Sequence, residues 1–111
     1  MLEVTFYRDS RDRLSRLVAD GHADWAEAED YVCAAGSAVL QAAWLGLLEH
    51  AHIAVDSNMD PEAGHLDLRW SDVDRLREDV QAIVDTARLA METLARQYPE
   101  NVRSTVVSEP A

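Results

Sequence analysis

The stretch "GHADWAEAEDYVCAAGSAVL" holds two side chains of the types that nucleophilic catalysis uses. They are Cys33, the only cysteine in the chain, and His22, eleven positions before it. A thiolate attacks carbonyl carbons, and an imidazole within hydrogen-bond reach takes the thiol proton and later returns it to a leaving group. Asp30 has the character of a helix N-cap, which puts Cys33 in the first turn of a helix beginning at Tyr31. Unpaired backbone N–H groups and the positive end of the helix dipole favour a thiolate there, and the same groups can donate to a developing oxyanion. A charged Asp30 opposes a second anion nearby, and a cationic His22 offsets it. Taken alone, the spacing favours a plainer alternative: a small buried thiol and an incidental loop histidine.

The elements that must position this pair can be read from periodicity. Leu2, Val4 and Phe6 alternate with Glu3, Thr5 and Tyr7, which is the pattern of a strand. The polar "RDSRDR" is a turn, and Leu14 to Asp20 is the expected hairpin partner. Gly21 ends that strand, and residues 22 to 29 read as a loop. From Tyr31 the apolar residues fall at helical spacing as far as His50, and small residues such as "AAGSA" suit close packing. Ile53 to Val55 is a short strand candidate, "DSNMDPEAG" a loop, and His65 to Trp70 a further strand. Ser71 is expected to cap a second helix, with Asp74 completing an approximate capping box. An apolar stripe from Val73 through Met91 to Tyr98 defines that helix, which stops before Pro99. "VRSTVV" can add a last strand, and residues 108–111 are expected to fray. The order ββαββα implies an α+β, two-layer sandwich in one domain, 1–107, with a mostly antiparallel sheet and two helices on one face.

Composition narrows the function classes. A chain of 111 residues with 48% hydrophobic residues can bury one core. The charge is lopsided, with 21 acidic residues, 10 arginines, no lysine and a net of −11. Binding a polyanion rests on Lys and Arg contacts to phosphate, so direct nucleic-acid binding is not expected. A basic partner or peptide suits this charge better. One cysteine cannot form an intrachain disulfide, so the fold does not depend on an oxidising compartment. The first residues lack a basic region followed by an apolar one, and no apolar run near 18 residues stands out. A soluble, cytoplasmic protein without a membrane partner is the expectation.

Other candidates carry less. His50, His52 and His65 have no cysteines to complete a zinc set, so no metal and no cofactor are expected. "DSNMDPEAGHLD" imitates a calcium loop through Asp56, Asn58, Asp60 and Asp67, but Pro61 stands where that loop needs glycine. A polar hairpin loop is the better reading. Trp44 and Trp70 read as core or interface anchors, and Trp25 as packing for the loop between His22 and Cys33.

"GHA" followed by "DYVCAAGSAV", with "RD" after the opening strand and "QYP" closing the last helix, resembles the ribosomal-processing cysteine protease family, Prp. The resemblance covers nearly the whole chain. It implies a cysteine endopeptidase that removes a short N-terminal extension from a large-subunit ribosomal protein. It also implies a homodimer. Carried over by motif, Cys33 is the nucleophile and His22 the general base. Asp30 orders the loop or the helix start, Ser37 supports the site one turn after Cys33, and Gly21 supplies the tight entry to His22. The segment between His22 and Cys33 lacks the glycine usual in the family and is one residue shorter. That difference motivates a second reading, a non-catalytic acidic ribosome-associated or ribosome-assembly protein that retains the fold.

Overall fold

The computed structural model describes residues 1–21 and 27–109, with the backbone alone for residues 27–30. Strand β1 (Leu2–Arg8) turns Leu2, Val4 and Phe6 into the core, as its alternation dictates. The Asp9 carboxylate builds the following turn. It accepts from the backbone N–H groups of Arg11 (2.9 Å) and Arg13 (3.1 Å) and from the Arg13 guanidinium (3.0 and 2.8 Å). Strand β2 (Leu14–Asp20) returns antiparallel to β1. Tyr7 pairs with Arg16 and Arg8 with Leu14, so Ser15 is an extra residue, a bulge. Its fully buried hydroxyl lies 3.1 Å from the Tyr7 carbonyl and 2.7 Å from the Glu109 carboxylate.

Helix α1 (Glu27–Leu45) continues as one wider π-type turn, Gly46–His50. The expected start at Tyr31 with Asp30 as N-cap does not hold, because Asp30 is the fourth residue of the helix. The physical reason lies in "EAED": acidic side chains are stabilised at the positive end of a helix, and Ala28 is a strong helix former. An acidic run of this kind extends a helix instead of stopping it. Tyr31–His50 also contradicts the expectation of no apolar run near 18 residues. It spans 20 residues with a mean hydropathy of 1.5, long and apolar enough by composition to cross a membrane. Here it is the helix laid on the sheet, burying Val32, Leu40, Ala43 and Leu47.

Strand β3 (Val55–Asp60) runs through residues expected to be loop, and only its first residue belongs to the expected strand. All its residues after Val55 are exposed, so it carries no alternation to read. Its ladder with β4 (His65–Trp70) makes it a strand. The turn between them is closed by the Asp60 carboxylate, which accepts from the N–H groups of Glu62 (3.1 Å) and Ala63 (3.2 Å). The calcium-loop imitation is thus a β-hairpin. Ser71 and Asp74 do join, Asp74 N–H donating to the Ser71 hydroxyl at 3.3 Å, but they close only a 3₁₀ turn, Asp74–Leu76. Extended backbone at Arg77 (ψ 127°) separates that turn from helix α2 (Glu78–Gln97). Val73 and Leu76 are therefore exposed, outside the stripe expected to include them. Val80, Val84, Ala87 and Met91 form the buried stripe of α2.

Strand β5 (Val102–Ser108) pairs parallel with β1, which α2 makes possible by crossing from β4 to the far edge. The sheet order is β3-β4-β2-β1-β5, and the other three pairings are antiparallel. Both helices pack on the face that carries Val4, Phe6, Leu17, Leu68 and Val102, giving the expected two-layer α+β fold. Residue 108 lies in β5, and Glu109 donates its N–H to the Arg8 carbonyl at 2.7 Å, so fraying does not begin at 108 as expected.

Asp9 also holds the hairpin to the rest of the fold. Arg13 reaches Asp72, and Arg75 approaches Asp9 at 3.4 Å. Burial pushes the Asp9 carboxyl up, but hydrogen bonds from Arg13 and Arg11 outweigh it and hold the pKa at about 2 against an ordinary 3.8. A lowered folded-state pKa stabilises above the unfolded value, and that stability is lost as pH falls through about 2. Asp9→Asn should cost roughly 1–3 kcal/mol at neutral pH. In thermal melts, its deficit relative to the parent should shrink between pH 4 and about 2; a deficit independent of pH would contradict this account.

Candidate active site

The site is assembled where α1 crosses the end of the sheet that carries the β3–β4 turn. A cavity of about 380 Å³ opens there. Helix α1 contributes Cys33, Ser37, Gln41 and Trp44 to its wall, and β4 with the turn before it contributes Gly64, His65 and Leu66. The spacing explains the helical side. Residues 33, 37, 41 and 44 succeed one another at i+4, i+4 and i+3 and so share one face. Cys33 is half-buried on that face and lines a concave, largely apolar surface.

Cys33 is the seventh residue of α1, in its second turn. Its backbone N–H is therefore spent on the helix ladder, and the effect of the helix dipole fades beyond the first turn. The expected supply of first-turn N–H groups to a Cys33 thiolate is not available. Ser37 stands where it was expected, one turn after Cys33 and lining the same cavity. His22 and Trp25 fall outside the described residues, as does the side chain of Asp30.

Gly21 shows why this position takes no side chain. Its φ is +141°, and a Cβ there would lie 2.0 Å from the Met1 carbonyl oxygen and 2.9 Å from the Leu2 Cα. Both obstacles are backbone, so nothing can move aside cheaply. Its N–H donates to the Gly64 carbonyl at 3.0 Å, tying the end of β2 to the β3–β4 turn at the cavity edge. The chain leaves this anchor directly into His22.

A second histidine borders the cavity at the start of β4. His65 begins β4 in register with Asp20, the last residue of β2, and its Nδ1 lies 2.6 Å from the Asp20 carboxylate. Sequence reading weighed His65 only as a metal ligand. Forty-five positions separate it from Asp20, and only the β2–β4 register brings the two together. In the charged pair Arg16–Asp67 (2.9 and 2.6 Å) the guanidinium lies 5.1 Å from the centre of the Tyr7 ring. The Arg16 hydrogen bonds hold the Asp67 carboxyl below its ordinary range. Alternation along β2 and β4 puts that pair on the same face as the Asp20 and His65 side chains, away from the helices.

Comparison with known proteins places this geometry. The family model for cysteine protease Prp matches residues 1–103. The chain belongs to the Prp family. Ribosomal processing cysteine protease Prp from Staphylococcus aureus is 31% identical over 104 residues, which cover 93% of this chain and 96% of that protein. Among solved structures, SMU.848 from Streptococcus mutans superposes with a TM-score of 0.90 at 27% identity, covering 98% of this chain and 96% of the other. S. aureus Prp, described as an essential ribosomal processing protease, superposes in complex with a substrate peptide (TM-score 0.86, 28% identity; 96% of this chain, 99% of the other). Its complex with a covalently linked product peptide gives 0.85 at 29% identity, with the same coverage. This Prp-family chain is a cysteine protease, and the resemblance seen in "GHA" and "DYVCAAGSAV" is borne out.

Gly21→Ala tests the anchor. A strained φ costs about 1–3 kcal/mol before the clash with Met1 is counted. Denaturant unfolding should show a loss of at least that size. An unchanged midpoint would mean that the start of β1 yields more easily than its pairing suggests.

Proposed function

We propose that this protein is an endopeptidase that removes a short N-terminal extension from a large-subunit ribosomal protein, with Cys33 as nucleophile and His22 as general base. The observation that carries the reading is the position of Cys33. A cysteine protease needs a thiol, this chain has one, and it lines a cavity of about 380 Å³ on the face of α1. The S. aureus relatives bound to substrate and product peptides support a peptide as the occupant.

In the proposed cycle His22 takes the Cys33 proton, and the thiolate attacks the scissile carbonyl to form a C–S bond. His22 then gives the proton to the departing amine as the C–N bond breaks. Water, deprotonated by His22, attacks the thioester, releases the carboxylate and restores the thiol. No cofactor takes part. Oxyanion stabilisation cannot come from the first-turn N–H groups of α1 at Cys33, which is in the second turn. Asp30 and Ser37 act as positioning residues, Ser37 from one turn along the cavity wall.

The net charge of −11 attracts the basic N-terminal segment of a ribosomal protein, and the reaction takes place in the cytoplasm. The enzyme works as a homodimer. The outer face of α1 supports this. It exposes Tyr31, Leu45 and Leu48, and no charged residue occurs from Tyr31 to Leu48, so two acidic chains can meet there with little repulsion.

Incubation with the host's own ribosomal protein precursor tests the reading. Cys33→Ala should abolish cleavage, and His22→Ala should slow it roughly 10²–10⁴-fold. Cleavage by Cys33→Ala at the parent rate would refute the mechanism. Light scattering at tens of micromolar should give the mass of two chains, and a monomeric mass would remove the dimer.

A further inference from the structure

We infer that Gln41 is a substrate-positioning residue: its side-chain amide holds the backbone of the bound peptide about three or four residues from the bond that Cys33 attacks. The inference rests on the peptidase reading above and deepens it by naming a second point of contact along α1. Three observations carry it. The first is placement on the helix. Gly36, Leu40 and Ala43 belong to the buried stripe of α1. Cys33, Ser37, Gln41 and Trp44 occupy the flank beside that stripe and line one cavity. At 100° per residue Gln41 is turned furthest of the four from the stripe, and it is exposed, so it stands at the cavity rim. The second is the direction of the helix. Gly36 meets Leu2 at the end of the sheet that carries the β3–β4 turn, and the Leu47 carbonyl accepts from the Ile53 N–H (3.1 Å) just before β3 begins. Helix α1 therefore runs along the sheet against the direction of β3. Met59 and Leu66, paired in the β3–β4 ladder, line the cavity from the sheet face that also carries Leu68 and Trp70. The third is the state of the amide. Gln41 makes no side-chain hydrogen bond to another described residue, so its two donors and its acceptor are free for a ligand.

Spacing sets what the amide can touch. Gln41 is eight residues after Cys33, about 12 Å along the helix axis. An extended chain covers that length in about three or four residues. A carboxamide presents a donor and an acceptor together, which matches the N–H and C=O that an extended peptide turns to one side. The rest of this part of the wall is apolar, with Leu40, Trp44, Met59 and Leu66, and gives a backbone no partner. One polar grip at a fixed distance from the thiol sets how far the peptide slides along α1, and so which carbonyl meets Cys33. Gln41 acts here on binding and register and has no part in the proton transfers assigned to His22.

The test uses Gln41→Ala, Gln41→Met and Gln41→Glu, each alone and combined with Cys33→Ala, against synthetic peptides spanning the cleavage site of the host's ribosomal protein precursor. Position 41 is exposed and all three replacements are good helix formers, so the fold is kept. In the cleaving forms, Gln41→Ala and Gln41→Met should both raise KM roughly three- to tenfold, the worth of one net hydrogen bond, and leave kcat within about twofold. Gln41→Glu, which keeps an acceptor oxygen, should lose less. In the Cys33→Ala forms, the peptide Kd should shift in the same ratios, followed by the fluorescence of Trp44 in the cavity wall. Peptides cut back to about two residues on each side of the scissile bond should not distinguish the variants, and lengthening them on one side past about four should restore the difference. A fall in kcat at constant KM, a parent-like KM in Gln41→Met, an equal loss in the Ala and Glu variants, or a dependence on Gln41 that survives in the shortest peptide would overturn the inference. Failure of the parent to cleave a peptide that the Cys33→Ala protein binds through Gln41 would instead refute the peptidase reading and leave the contact standing. A peptide that does not bind the Cys33→Ala protein overturns the contact.

Discussion

The site depends on how closely α1 lies on the start of β1. At Gly36 a Cβ would come within 2.5 Å of the Leu2 side chain and 3.4 Å of Met91, so this turn of the helix touches the sheet and α2 at once. Interiors packed to crystal density do not let such a contact float. The approach sets both the height and the rotation of α1, and Cys33 and Ser37, on either side of Gly36 in sequence, are carried to the cavity as a consequence. Leu2 serves both sides of this arrangement, because it packs under Gly36 and also lines the cavity. Its N–H is bound by the Asn101 carbonyl at 2.8 Å, which ties the same point to the segment entering β5. Gly21 closes on Met1 and Leu2 from the other direction. Two glycines therefore close on the first two residues of the chain, Gly21 against their backbone and Gly36 against the Leu2 side chain, and the site is built around that junction.

Electrostatics adds a second layer. Four of the ten arginines are held closely by carboxylates: Arg13 by Asp9 and Asp72, Arg16 by Asp67, Arg77 by Asp79, and Arg88 by Asp85 and Glu92. These partners raise the arginine pKa values and lower those of Asp67 and Asp79. Exposed pairs of this kind add little stability one by one. Their larger effect is on the field. With these cations neutralised locally, the excess of carboxylates dominates, and Asp60 brings that excess to the cavity. A basic peptide approaching this surface meets attraction at long range and the apolar wall of α1 at short range.

How far the site could be read in advance varied residue by residue. Gly21 was legible as the end of an alternating strand, and its φ of +141° is a conformation that favours glycine. The shared face of Cys33 and Ser37 followed from helical geometry. The start of α1 was misplaced because Asp30 has the character of a cap, while "EAED" has the character of a first turn. Local chemistry permits both, and the helix takes the longer option. Strand β3 was missed because an edge strand with its residues after Val55 exposed leaves no pattern in its own sequence.

By itself the sequence determined the family, the α+β class, the helical face that carries Cys33, and the acidic character of the protein. Each of these depends on residue identity or on spacing within one element, which the chain carries locally. Only the tertiary structure decided that His65 and Asp20 meet across the β2–β4 register, that β5 returns parallel to β1, and that Gly36 brings α1 against Leu2 and Met91. These depend on strand register and on the close approach of distant elements. Such contacts become visible only once the chain has folded, because the residues that make them share no local pattern.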